Sequence, residues 1–333
     1  MLQRVDFPLP SIMHTSARSY YRLLPLLAIW LLGACAARPP AEQPVVIHAG
    51  VHSGGSVVGF SQSGELLASG GWEGAIQLWH LPNGAAGQRW LAHRGSVNGL
   101  AFSNGDGLVI SAGYDGELVA WTLGGKAARR VVTPAPVMHM EASPALDRVL
   151  TGHSDGSVRL WQLSDFTLLD ERRLHRGRVK AVAIDRRMPR YASSGADGNV
   201  NVWTEGGKAF ELPAPPADAW TLAFSPGGDQ LFGGTWFRLL RWDLGDPALS
   251  VLPTDHFGII RSIQFSASGD ALATISRQTD SSVYFLDPET AAVTRRFQQH
   301  ELCGAAISMS PDERYLATTS DDASVRIWNL KAQ

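Results

Sequence analysis

Residues 157–161 read SVRLW, with Val158 and Leu160 alternating against Ser157, Arg159 and Trp161. A period of two marks a β-strand, whose successive side chains point to opposite faces. The same kind of run recurs as AIQLW at 75–79, ELVAW at 117–121, NVNVW at 199–203 and SVRIW at 324–328. Trp79, Trp121, Trp161, Trp203, Trp242 and Trp328 stand 42, 40, 42, 39 and 86 residues apart, and 86 is two periods of 43. The midpoint of that last gap falls on Phe285, within SVYFL. Seven units of about 40 residues thus tile the chain from Pro44 to Leu330.

Turn residues punctuate each unit at short intervals: Ser61–Gly64, Ser225–Gly228, Ser266–Gly269 and Ser310-Pro-Asp312. No helical pattern separates them, and about four short strands per unit is the signature of a propeller blade. The expected fold is all-β, a seven-bladed β-propeller of four-stranded antiparallel blades. The 333 residues are 44% hydrophobic and 18% charged with a net charge of -2. That composition excludes a largely disordered chain and argues against a general nucleic-acid binder. Two Cys in the whole chain exclude a disulfide scaffold or a Cys-rich metal site.

The units resemble the WD40-repeat family. Each family repeat carries a His in a loop, a Ser or Thr on the second strand, an Asp in a tight turn and a terminal Trp. His93, Ser111, Asp115 and Trp121 occupy those slots in the second unit. His175, Ser193, Asp197 and Trp203 do so in the fourth, and His300, Thr318, Asp322 and Trp328 in the seventh. In all three the His stands 28, the hydroxyl residue 10 and the Asp 6 residues before the Trp. The first unit has Glu73 for Asp, with His52 and Ser69; the third keeps Thr151 and Asp155, but Val137-Met138-His139 replaces its His loop. Phe232 and Trp236 fill the polar slots of the fifth, which closes on Trp242-Asp243; the sixth ends in Phe285 after an altered turn, Arg277 to Asp280. Apolar packing is expected to hold these four blades. A Ser, His and Asp together also suit nucleophilic catalysis. Recurrence around a ring favours a structural hydrogen-bond set over repeated active sites.

The last unit stops after its third strand, and Val45-Val46-Ile47 ahead of the first can supply the fourth, hiding an edge open to aggregation. Upstream, Arg18 and Arg22 precede the apolar run Leu23–Leu32, then Gly33, Ala34 and Cys35. A basic region, ten apolar residues and a small-residue end describe a secretory signal peptide, too short to span a bilayer. Leu32-Gly33-Ala34-Cys35 resembles the lipobox of bacterial lipoproteins, which implies lipidation of Cys35. Ala36 in place of Asp leans towards the outer membrane, facing the periplasm. The expected organisation is a signal peptide at 1–34, lipidated Cys35 and a Pro-rich tether at 35–43, and the propeller at 44–333. Cys303 then has no partner and reads as a small loop residue.

No residue spacing fits a zinc or haem site, and no cofactor is expected. Gly124-Gly-Lys126 and Gly206-Gly-Lys208 are hairpin turns rather than phosphate loops. Basic residues crowd 172–190, with Arg176, Arg178 and Lys180 at the His-loop end and Arg186, Arg187 and Arg190 at the other. They read as a solvated blade edge or as a patch for an anionic partner. The residue before the turn acid faces the top rim in the family, which implicates Trp72 and Tyr114, with Trp236 nearby. Together with Arg94, Arg176 and Arg178 these are the partner-binding candidates. The leading expectation is a non-catalytic, membrane-anchored scaffold holding a protein or peptide on its top face, with no nucleic acid partner. The rival is an extracytoplasmic enzyme or small-molecule binder with its site at the channel mouth.

Overall fold

A computed structural model describes residues 40–331. Seven four-stranded antiparallel sheets stand around a central channel, and no strand is shared between sheets. Blade two is representative, running Val97–Phe102, Leu108–Gly113, Glu117–Thr122 and Ala127–Val132 from the channel outward. Blade seven has only Gly304–Met309, Tyr315–Ser320 and Val325–Asn329 of its own; Val46–His48 adds its outer strand, with Val46 opposite Ile327 and His48 opposite Val325.

The core is not central but divided into seven layers, one between each pair of neighbouring blades. Between blades one and two, for example, Ile76 and Leu78 meet Val97, Phe102, Val109 and Trp121. The second and third strands of a blade therefore bury both faces, one towards each neighbour, while the outer strand stays largely exposed, and this is why the Trp-terminated runs carry few charges. A ring so built has no blade that keeps its apolar faces dry alone.

Closure begins earlier than the closing strand. Glu42 forms a parallel bridge with Phe297 of blade six, and its carboxylate takes two bonds of 2.7 Å from Arg295. Its carbonyl accepts from the Gln298 N–H (2.8 Å) and from the Trp328 indole (3.2 Å). The segment before the first blade thus staples blades six and seven together.

Register corrects two slot assignments. In blade two Trp121 lies opposite Val109 and Ser111 opposite Val119. The corresponding pair in blade six is Leu286 opposite Leu272, because the turn after Ser276 is two residues longer. Leu286, not Phe285, fills the Trp slot facing blade five; Phe285 faces blade seven. Blade five is one residue short instead. Gly233 takes its hydroxyl slot, the Trp242 ring lies 3.1 Å from where a Gly233 Cβ would sit, and Phe232 turns to blade six against Phe265.

Candidate functional site

The end of the ring bearing the His loops and the turns between second and third strands is called the top here. In blade two the Trp121 indole donates to Ser111 Oγ (2.8 Å), which lies 2.7 Å from His93 Nε2; His93 Nδ1 is 3.0 Å from Asp115. One proton arrangement satisfies all four: indole N–H to Oγ, O–H to Nε2, and Nδ1–H to the carboxylate. Asp115 also accepts from the Arg94 and Glu117 amides. Burial alone would raise its pKa, yet these bonds, led by His93, hold it down at about 2.

His175 repeats the arrangement with Ser193 (2.8 Å) and Asp197 (3.0 Å), and His300 with Thr318 (2.7 Å) and Asp322 (3.0 Å). The indoles there behave differently. Trp328 donates to Glu42, and Trp203 is buried against Tyr191 and beneath Arg172 without bonding Ser193. The expectation that apolar packing replaces the polar set in the other blades holds only for blade five. His52 bonds Ser69 (2.9 Å) and Glu73 (2.8 Å), with Trp79 on Ser69 (3.0 Å). His256 bonds Thr274 (2.8 Å), and Asp280 lies 3.4 Å from its Nδ1. In blade three His153, on the second strand, substitutes for the missing loop His and bonds Thr151 (2.9 Å), to which Trp161 donates. In blade five, which lacks the His set, the Trp242 indole donates instead to the backbone carbonyl of Pro213 (2.8 Å).

Ser69, Ser111, Ser193 and Thr318 are 0% exposed, so no substrate reaches these hydroxyls. The ligand atoms of His93, Asp115 and Glu117 lie within 4.8 Å of one another, but the His93–Asp115 bond and the Arg130–Glu117 pair already occupy them.

The inner strand of each blade is a sheet edge, and in blades four and seven polar side chains of the neighbouring inner strand cap its free amides. Gln264 and Ser262 accept from the Met309 and Ile307 amides (2.8 and 3.4 Å); Glu141 and His139 do the same for Ile184 and Val182 (3.2 and 3.3 Å). Residues two apart share one face, so a single alternation lines the channel wall with these caps. His139, expected in a loop, therefore sits on the wall; burial, then the charge of Arg261, drops its pKa to about 3. Burial lifts Glu141 to about 7 against the pull of Arg186.

At the top the channel opens into a cavity of about 210 Å³, lined by Arg178 and Lys180 of blade four, Arg261 and Arg277 of blade six, and Trp220. A second of about 60 Å³ lies beside it; Met138 and Arg261 line both, forming the partition. Lys180 is buried, bonded to Asp218, with its ammonium 4.1 Å from the Trp220 ring centre. Arg277 bonds Asp321 (2.8 Å) and lies over Trp72 (5.7 Å). Arg261 donates to the Trp220 carbonyl (3.1 Å), and desolvation, then the charges of Arg277 and Arg178, lower its pKa to about 10. Arg178 is exposed and has no side-chain partner among the described residues.

The basic run 172–190 divides: Arg173, Arg176, Arg186 and Arg187 are solvent-exposed, while other members are engaged elsewhere. Arg178 and Lys180 turn to the channel mouth. Arg190 is spent on Asp185 (2.6 Å), and Arg172 on Asp170 (2.6 Å) and the Trp203 ring. Arg94 and Arg176 are exposed immediately after the loop His of blades two and four.

Of the aromatic candidates, Trp72 is 44% and Tyr114 52% exposed, whereas Trp236 is half-buried, bridged to Ile259. Three further exposed apolar side chains were not anticipated: Phe257 (71% exposed), Phe237 and Leu302. Phe237 bonds the Gly258 carbonyl and packs on Trp236, setting it beside Phe257. Phe257 stands in the slot of Arg94 and Arg176, where the amide donates to the turn acid and the side chain must point outward. That equivalence was readable from the repeat. Blades five to seven and one thus carry an apolar arc along the rim, joined to the mouth through Trp72 and Arg277.

Residues 48–80, 87–122, 130–162 and 292–329 match the family model described as WD domain, G-beta repeat. The chain therefore carries WD40 repeats, and the fold continues the same blade through residues between them. It is 26% identical over 307 residues to human WD repeat-containing protein 90, covering 83% of this chain and 17% of that one. It is 24% identical to Autophagy-related protein 16 of Arabidopsis thaliana (85% and 49% covered) and 22% to human Striatin-4 (72% and 36%). The chain spans less than half the length of each of these relatives.

Proposed function

We propose that this chain is a non-catalytic scaffold that captures a protein or peptide partner on the top face of the propeller. The observation that carries the reading is the exposed arc of Trp72, Phe237, Phe257 and Leu302 beside a cationic mouth. Large aromatics bordered by Arg are the side chains in which interfaces concentrate their energy. The Ser, His and Asp sets, the best source of catalytic chemistry in the sequence, are tied up in hydrogen bonding within each blade, with their hydroxyls buried. Among the described residues no pair of free carboxylates converges at the mouth: Asp218 and Asp321 are each bound to a cation. The relatives, WD-repeat proteins of which this chain matches a part, support a binding module.

The scaffold is membrane-anchored in this reading, through lipid on Cys35 after removal of residues 1–34, at the outer membrane of a bacterial envelope facing the periplasm. Those residues lie outside the described part, and the support is the sequence Leu32-Gly33-Ala34-Cys35 alone. Labelling with an alkynyl fatty acid tests it: Cys35→Ala should abolish label and membrane retention, and label retained on the variant refutes the anchor. Crosslinking and mass spectrometry of the wild-type chain in its membrane test the scaffold, which requires crosslinks from a partner to the top loops.

A further inference from the structure

The four cations of the mouth are not equivalent. Lys180 and Arg277 have carboxylate partners, Asp218 and Asp321, which also hold them in place. Arg261 has a single backbone acceptor for its five donors, and Arg178 has none. Two positive charges therefore face a cavity of about 210 Å³ without a counter-ion from the protein. Trp220, on its wall, adds an indole N–H that is buried and unpartnered, and Asp321 keeps one oxygen buried and unbonded.

Packing alone does not explain this. Like charges gathered in a half-buried cavity repel one another, and a guanidinium left short of acceptors carries a desolvation cost. The depressed basicity of Arg261 reflects that pressure. A side chain serving only to plug the channel could be apolar, as Met138 opposite it is. The planar fork of Arg suits an oxyanion, which two guanidiniums can grip with parallel, charge-assisted bonds. Met138 and Arg261 stand between this cavity and the smaller one, and a volume of about 210 Å³ has room for such a group.

We propose that Arg178 and Arg261 form an oxyanion-binding site at the channel mouth, which receives a carboxylate or phosphate borne by the partner segment lying on the aromatic arc. The proposal rests on the top-face reading for its partner, but the site itself is testable without one. The apolar arc and the unneutralised cations adjoin through the Arg277–Trp72 contact, so a segment with an acidic group beside an apolar side chain complements both.

The test is titration of the full chain with sodium glutarate and, separately, inorganic phosphate, followed through the Nε–Hε signals of selectively labelled arginines. Saturable shifts of Arg178 and Arg261, with Arg94 and Arg176 unmoved, are expected for at least one anion. The tighter anion identifies whether carboxylate or phosphate is the natural group. Arg178→Ala, at an exposed position that leaves the fold intact, should weaken binding about tenfold, the usual scale for one charge-assisted pair. Arg261→Met should weaken it further. Shifts that stay linear to high anion concentration, or that persist unchanged in Arg178→Ala, overturn the proposal. If partner capture depends on Trp72 and Phe257 but not on Arg178, the oxyanion site fails while the top-face scaffold stands; if capture ignores all three, the scaffold reading fails on its own account.

Discussion

Replacing Ser111 by Ala isolates what the buried hydrogen-bond sets contribute. Ser111 Oγ is the hinge of its set, accepting from Trp121 Nε1 at 2.8 Å and lying 2.7 Å from His93 Nε2, with no exposure to solvent. The substitution leaves an indole N–H and an imidazole nitrogen buried without partners, and no water can enter without displacing packed side chains. An unsatisfied buried group costs about 1–3 kcal/mol, so the two together should cost about 2–5 kcal/mol. For a chain of this size that lowers the melting temperature by about 4–15 °C. Ser193→Ala is the internal comparison, because Trp203 makes no bond to Ser193 and only His175 is orphaned. Its loss should be about half as large. Urea unfolding of both variants at neutral pH, followed by tryptophan fluorescence, measures the difference. A loss below about 0.5 kcal/mol for Ser111→Ala, or an equal loss at the two sites, would refute the reasoning, since surface-like changes fall in that range.

Two other perturbations test closure and charge. Deleting residues 44–50 should destabilise the whole ring, and Glu42→Ala, which breaks a bidentate pair with Arg295, should lower the unfolding midpoint measurably by itself; an unchanged midpoint in either contradicts closure by this segment. Stability should also fall on acidification below neutrality. His153 is held neutral by burial to about pH 4 and His139 to about 3, so the unfolded chain binds those protons first, while Glu141, raised to about 7, opposes one of them. The net is a loss of at least about 1.4 kcal/mol per pH unit between roughly pH 6 and 4.5, continuing towards pH 2 as Glu73 and Asp115, depressed to about 2, release their share. A flat urea midpoint over pH 6 to 4.5, or one unaltered by His153→Gln, contradicts it.

The seven-fold beat was legible because a bulky Trp recurs at one strand position, where the inter-blade layer demands a large side chain. Arithmetic on that beat failed where turns change length. Two extra residues in blade six moved the slot to Leu286, and one fewer in blade five moved the hydroxyl slot to Gly233; cross-strand pairing, not spacing, sets register. Glu42 escaped notice because a staple of one bridge and one ion pair leaves no periodicity. The mouth was invisible for a different reason. Arg178, in the loop just before the inner strand of blade four, and Arg261, on the inner strand of blade six, stand 83 residues apart, and only the ring brings them together. His153 replacing a loop His from within a strand is likewise a spatial solution to a sequence gap. The exposed Phe257 could have been read by applying the repeat to it, since its neighbours in that slot are Arg94 and Arg176.

The central claim is that the top face, and not the outer rim, holds a protein partner. Its most direct measurement is quantitative crosslinking of the full chain in its membrane, comparing wild type with Trp72→Ala/Phe257→Ala and with Leu168→Ala, an exposed apolar position on an outer strand. Both aromatics are solvent-facing, so stability should stay within about 0.5 kcal/mol of wild type. The account predicts that the double variant loses its partner crosslinks while Leu168→Ala keeps them. Retention of the partner by the double variant, with loss in Leu168→Ala, would contradict it.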